Sequence, residues 1–346
     1  MKVDYIIVGC GLAGIAFCEQ LKQYDKSFVV FDNESQQSSV VAAGLYNPVI
    51  LKRFTEVWKA KEQLTLALPM YQQLEQLLKV KLDYKLPVYR RLASIEEQNE
   101  WFSASDKPHL EAYLSTQIIK NNNTSVNAPF GFGKVEQTGR IDTATLLYQY
   151  KTYLRQQEQY LDETFVYEHL IIHQNLLQYK NITAKYIVFA EGFGMIHNPF
   201  FNELPLNVAK GEIITIKAPN LKIDYVLKAS VFVIPEGKEL FSVGSTYNWT
   251  DTSNQTTQKG KTELVDKLKQ LITCDFEVVH QVAGIRPTVK DRRPLVGVHQ
   301  KHQNIAILNG LGTRGVMIAP YVAKALFEYI ENGKPLDKEI DIVRFN

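Results

Sequence analysis

Arg286 stands between Ile285 and Pro287 in AGIRPTVKDRRPLVG, residues 283–297. A guanidinium in such an apolar stretch needs an anionic partner, and its planar fork makes two parallel charge-assisted bonds to a carboxylate that a lysine does not reproduce. Two sources of carboxylate are open: a bound substrate, or an internal acid such as Glu191 or Asp291. At the other end of the chain Gly9, Gly11 and Gly14 form G-x-G-x-x-G, enclosing Leu12 and Ala13. The first glycine permits a tight turn, the second lets a pyrophosphate reach the backbone, and the third lets helix and strand pack closely. A helix that starts there turns its unpaired N–H groups and the positive end of its dipole toward the phosphates. Asp32, followed by Asn33, closes the next apolar run about twenty residues on, where a carboxylate accepts ribose hydroxyls and repels a 2′-phosphate, which disfavours NADP. The pair does not separate FAD from NAD, and a ligand-free glycine turn carries the same letters.

The elements that position these residues follow from periodicity. Val3 to Val8 reads as a strand, a helix begins at about Gly14, and Phe28 to Phe31 is a second strand. Runs this continuously apolar are buried on both faces, as in a parallel sheet covered by helices. Residues 53–78 carry helical spacing, and Pro69 should split them into two helices. Residues 79–139 read as short β-rich pieces with an Asn-rich loop, KNNNTS. A helix near 143–157 leads into strands within TFVYEHLIIHQN and KYIVFAEGFG. Alternating strands follow from Val208 to Trp249, then a helix near 261–272, the strand NIAILNG, and a last helix from Val316 to Glu331 stopped by Gly333 and Pro335. The expected class is α/β: a Rossmann-like nucleotide-binding domain (1–78, 140–205 and 276–346) with a discontinuous α+β substrate domain built on an antiparallel sheet (79–139 and 206–275).

Composition narrows the partners. With 346 residues and 45% hydrophobic content the chain can bury a large core in roughly two domains. Its 39 basic and 37 acidic residues leave a formal charge of +2, no field for gathering nucleic acid or an anionic membrane. Cys10, Cys18 and Cys274 are odd in number and widely spaced, so no disulfide or metal motif is expected. The first residues do not read as a secretory leader and no apolar run nears the ~20 residues of a membrane span, so the expected location is the cytoplasm.

Three further stretches, SSVVAAGLYNPV, VFVIPEGKELFSVGST and AGIRPTVKDRRPLVG…NGLGTRGVMIAP, together resemble the FAD-dependent D-amino-acid oxidase and glycine oxidase family. The likeness runs from the first strand to the last helix, with residues 80–135 poorly matched. The GLGTRG form is similar to the oxidase half of bifunctional enzymes that trim carboxymethylaminomethyl-uridine in tRNA. The resemblance implies that Ser38, Ser39, Ala43, Gly44 and Leu45 lie along the flavin and its ribityl chain. It implies a second backbone contact at Ala190, Glu191 and Gly192, where an alanine often replaces Glu191. Gly310, Gly312, Thr313, Arg314, Gly315 and Val316 match the segment beneath the flavin pyrimidine edge, where a helix N-terminus stabilises negative charge on the reduced ring. Covalently flavinylated members carry cysteine at the position of Gly284, so FAD is expected without a covalent link.

In the amino-acid oxidases of that family the arginine of G-x-R-P, here Arg286, holds the substrate carboxylate. The implied reaction oxidises the C–N bond of a small amino acid or secondary amine bearing a carboxylate: hydride transfer to flavin, then imine hydrolysis, with oxygen or another acceptor. Phe232 replaces the tyrosine that glycine oxidase uses beside the carboxylate, Arg314 is a second candidate cation one place beyond that family's arginine, and Tyr247 and Trp249 either wall the pocket or pack in the core. None of the seven histidines falls inside the matched flavin segments. Alternatives are a tRNA-modifying oxidase acting on a carboxymethylaminomethyl group, a dehydrogenase passing electrons to a quinone or carrier, and a flavin-binding protein that no longer turns over.

Overall fold

The computed structural model describes residues 1–345. Two large sheets organise them. In the first, Tyr160–Leu161, Phe28–Phe31, Lys2–Val8, Ile182–Phe189 and Ile305–Asn309 run parallel. Leu177–Tyr179 and Leu170–Ile172 extend it antiparallel at one end, and Leu295–Val298 pairs with Ile305–Asn309. One face is covered by helices Leu12–Gln23 and Gly315–Asn332, which pack on each other over Tyr5, Ile7, Phe17 and Met317. The other face buries Ile6, Phe31, Phe165, Tyr179 and Phe189 under loops. Strands apolar on both faces are thereby accounted for: Phe28–Phe31 is buried at every position.

The second sheet runs in the order Glu277–Arg286, Ala209–Lys217, Leu240–Gly244, Phe232–Gly237, Val226–Lys228, Val88–Arg91, Phe132–Val135, Leu114–Ile119. All its pairs are antiparallel except Val226–Lys228 beside Val88–Arg91, which is parallel. Helix Gln258–Lys269 covers one face and helix Ile95–Ser105 lies on the other, whose core is built around Trp101. Strand Glu277–Arg286, assigned from sequence to the nucleotide-binding domain, pairs along its whole length with Ala209–Lys217. It carries Arg286 at the edge between the two sheets.

Two local expectations need correction. Residues 60–78 form one uninterrupted helix, Ala60–Leu78, with Pro69 inside it, while residues 53–59 are turn and the short strand Thr55–Glu56. Pro69 leaves the Thr65 carbonyl without its helical donor, but both residues are exposed, so water replaces the lost partner. Helix Ile95–Ser105 lies in the segment read as β-rich. Its start was legible: Ser94 caps the Glu97 N–H at 3.2 Å, and the Glu97 carboxylate reaches back to the Ala93 N–H at 2.6 Å, a variant of the S-x-x-E capping box.

Candidate active site

Strand Lys2–Val8 ends at Gly9, whose N–H donates to the Phe31 carbonyl at 2.8 Å and so ties together the ends of two neighbouring parallel strands. Helix Leu12–Gln23 begins at once, with Gly11 as an N-cap that offers no side-chain acceptor. Its first-turn N–H groups remain largely for a ligand; that of Leu12 donates to Ser39 Oγ at 3.2 Å. Gly14 does not line the cavity. It lies against Gly9, where an added Cβ would stand 2.0 Å from the carbonyl oxygen, so it serves helix–strand packing. The Asp32 carboxylate accepts from the Cys10 N–H and the Glu34 N–H, each at 2.6 Å, with Lys151 Nζ at 3.5 Å. It therefore holds the glycine loop in shape, and it also lines the cavity.

One cavity of about 550 Å³ starts at this loop and ends at Arg286 and Arg314. It is lined by Gly9, Gly11, Leu12, Ala13, Asp32 and Asn33 at one end, then by Ser38, Ser39, Ala43, Gly44 and Leu45. Ala190, Glu191, Gly192 and Gly284 follow, and Gly312, Thr313, Arg314, Gly315 and Val316 close one side. Gly310 lies outside, packed on Val289 and Leu295. The Asn309 side chain spans two of these loops, donating to the Gly192 carbonyl at 2.9 Å and accepting from the Gly310 N–H at 2.8 Å. Gly284 faces Ser38 and Val41 so closely that a Cβ would come within 2.4 Å of Val41 Cγ2. The donor set suits a dinucleotide: free amides for the pyrophosphate, a carboxylate for the ribose, and bare backbone where a flat ring would lie.

Glu191 is held by Tyr167 Oη at 2.5 Å and Asn198 Nδ2 at 2.7 Å. Burial outweighs these two donors and pushes its carboxyl up to about 6. Asp291, the other internal acid considered for Arg286, is engaged by Arg344 Nε at 2.8 Å. Arg286 pairs with neither. Its guanidinium lies flat against Gly211, where a Cβ would stand 1.8 Å from Nη2. Nη2 donates to Ser245 Oγ at 2.8 Å and Nη1 to the Thr246 carbonyl at 3.4 Å, and Cζ lies 4.6 Å from the Tyr247 ring centroid. Burial lowers the pKa of both Arg286 and Arg314, and no carboxylate among the described residues offsets it for either.

Phe232 is buried on the cavity wall. Tyr247 is 55% exposed and also lines the cavity, whereas Trp249, 52% exposed and stacked on it at 6.3 Å, does not. Neither packs in the core: Tyr247 is a rim residue, and Trp249 is an exposed neighbour of it. His197 is exposed and also borders the cavity, the one histidine of the seven that does so among the described residues. Sequence reasoning missed Gly211, Lys228, Ser230, Ser245 and Asn309, all on the wall. For Lys228 the signal was a lysine within an otherwise apolar strand pattern, VLKASVFVI. For the others there was none, because each matters only through a neighbour distant in sequence.

The model of the DAO family, described as FAD dependent oxidoreductase, matches residues 4–329. The glycine oxidase of Bacillus subtilis is 26% identical over 161 residues, a match that spans 44% of this chain and 42% of that protein. Among solved structures, glycine oxidase from Geobacillus kaustophilus superposes with a TM-score of 0.79 at 17% identity, over 97% of both chains. Iminodiacetate oxidase from Chelativorans sp. BNC1 does so with a TM-score of 0.77 at 15% identity, over 96% of both.

Proposed function

Because the chain belongs to the DAO family of FAD-dependent oxidoreductases, we propose that it oxidises the carbon–nitrogen bond of a small amino acid or secondary amine that carries a carboxylate. FAD, when bound, would supply the two-electron acceptor for the hydride on the carbon beside nitrogen, leaving an imine for water to hydrolyse. The glycine loop and Asp32 would hold its pyrophosphate and ribose, and Ser38–Leu45 and Gly312–Val316 would flank the rest.

One observation carries the substrate reading. Arg286 is a desolvated cation whose neighbours are a hydroxyl, a carbonyl and a π-face, with no carboxylate. Those neighbours orient the fork but leave its charge unneutralised, and a buried unpaired charge is costly. A bidentate carboxylate restores that balance and fixes the position of the α-carbon, so that positioning supplies much of the catalysis. If the amine arrives neutral, no side chain need act as a base.

Anaerobic mixing of the yellow holoprotein with glycine, sarcosine, D- and L-amino acids and imino acids, followed by flavin absorbance, tests this reading. The expected result is bleaching by at least one carboxylated amine. Arg286→Leu should weaken that amine by roughly 2 to 5 kcal/mol. Reduction of the variant at unchanged substrate concentration would overturn the assignment of Arg286, and a holoprotein that no amine bleaches would overturn the activity.

A further inference from the structure

The substrate end of the cavity is charged with one sign only. Arg286, Arg314 and Lys228 all line it. Among the described residues no carboxylate is paired with any of the three or raises its pKa. The acids that line the cavity are engaged by other partners: Asp32 by two backbone N–H groups, Glu191 by Tyr167 and Asn198, and Glu163 by Lys180 at 2.6 Å.

The three cations form two groups. Tyr247 lies close enough to Arg286 and to Arg314 to act electrostatically on both, so these two guanidiniums share one locality. Lys228 stands across the sheet from them. Its Nζ lies 5.8 Å from the Phe232 ring centroid, and Phe232 is the register partner of Lys228 on one side and of Gly244 on the other. Ser245, the next residue, carries the hydroxyl bonded to Arg286. Adjacent strands are about 4.8 Å apart, so Lys228 stands two strands, roughly 10 Å, from the strand that ends beside Ser245, with Phe232 between them on the wall of the same cavity.

Lys228 has other cations for neighbours. Arg90, its register partner on Val88–Arg91, is taken by Glu97 at 2.7 Å, and Lys267 of helix Gln258–Lys269 by Glu263 at 2.5 Å. Burial comes first and these two charges second in drawing the Lys228 ammonium down to about 8. A monocarboxylate seated on Arg286 leaves this second cation without a counter-ion.

We propose that Lys228 holds a second acidic group of the substrate, so that the preferred substrate is an amine carrying two carboxylates, one on Arg286 beside Arg314 and the other on Lys228. The proposal deepens the oxidase reading above and rests on it for the chemistry, though not for the binding.

Two measurements on the holoprotein test it. In the first, non-oxidisable anions are titrated while the flavin spectrum is watched: malonate and succinate against acetate and propionate. The diacids should bind tighter by about thirtyfold, and Lys228→Met should erase most of that preference. In the second, flavin reduction is compared within matched pairs, iminodiacetate with sarcosine and D-aspartate with D-alanine. The diacid-to-monoacid ratio of kcat/KM should be large, should fall as pH rises through about 8 where Lys228 loses its charge, and should persist above that pH in Lys228→Arg. Equal binding of mono- and diacids by the wild type, or a preference that survives Lys228→Met, overturns the proposal while leaving the oxidase reading intact. Tight, Lys228-dependent diacid binding with no amine reducing the flavin upholds the subsite and defeats the oxidase reading instead.

Discussion

Gly211→Ala is the sharpest probe of Arg286, because it leaves the arginine in the chain and moves only its head group. In the folded protein a methyl at residue 211 would stand 1.8 Å from Nη2 and 2.2 Å from Cζ of Arg286. Non-bonded heavy atoms settle about 3.5 Å apart, so the fork must retreat by roughly 1.5 Å. Gly211 is an interior strand residue paired with Gly284, with no left-handed backbone to strain. The displaced atoms are the far end of a flexible side chain, so the stability cost should stay near 1 kcal/mol, the ordinary range for a single substitution. Catalysis should suffer far more, since a misplacement of about 1 Å near a reacting centre costs on the order of a hundredfold. Stopped-flow reduction under anaerobic conditions reads the half-saturating substrate concentration and the limiting rate, with flavin content and Tm as controls. The expected variant is yellow and stable, with a substrate affinity or limiting rate lowered by about two orders of magnitude. A variant with normal flavin, normal Tm and unchanged reduction kinetics would show that the guanidinium does not hold the substrate from the position it occupies on Gly211.

Three other outcomes follow from the cofactor end. Asp32→Ala removes the acceptor that holds the Cys10 and Glu34 N–H groups and that we propose accepts from the ribose; FAD should bind weaker by roughly 1.5 to 3 kcal/mol, read by flavin fluorescence, and an unchanged affinity would refute the role. Gly14→Ala drives a Cβ to 2.0 Å from a backbone oxygen, which cannot swing aside, so Tm and flavin content should both fall, with a cost of roughly 1 to 3 kcal/mol. Glu191 titrates from 4.5 in the unfolded chain to about 6 in the folded protein. Below that window both states are protonated; as pH rises through it the unfolded state releases its proton first, and stability is lost until the folded carboxyl also ionises. The stability of the wild type relative to Glu191→Gln should therefore fall by about 2 kcal/mol across the window, and a pH-independent difference in urea unfolding would exclude it.

How much of the site was readable depended on how far apart its parts lie along the chain. The glycine turn, its helix and Asp32 lie within one βαβ unit, where apolar runs and the glycine spacing specify strand, turn and helix almost without reference to the rest. The last helix, with its Gly333 stop, is equally local. Helix Ile95–Ser105 was written in Ser94 and Glu97 but was overlooked among β-prone neighbours. Pro69 misled for the opposite reason: an exposed helix face lets solvent take the lost bond, and exposure is a property of packing.

The amino-acid sequence by itself determined a nucleotide-binding βαβ start, a carboxylate at the end of its second strand and an arginine able to grip an acid, since each depends on residue chemistry and short-range spacing. Only the tertiary structure decided what that arginine meets. Strand Glu277–Arg286 carries it onto Ala209–Lys217, so Gly211 beneath it, Ser245 beside it and Lys228 across Phe232 come from strands whose pairing is set by burial of two sheet faces. Non-local register leaves no periodic trace in any one segment, and the balance of charge in a cavity exists only once those segments are assembled.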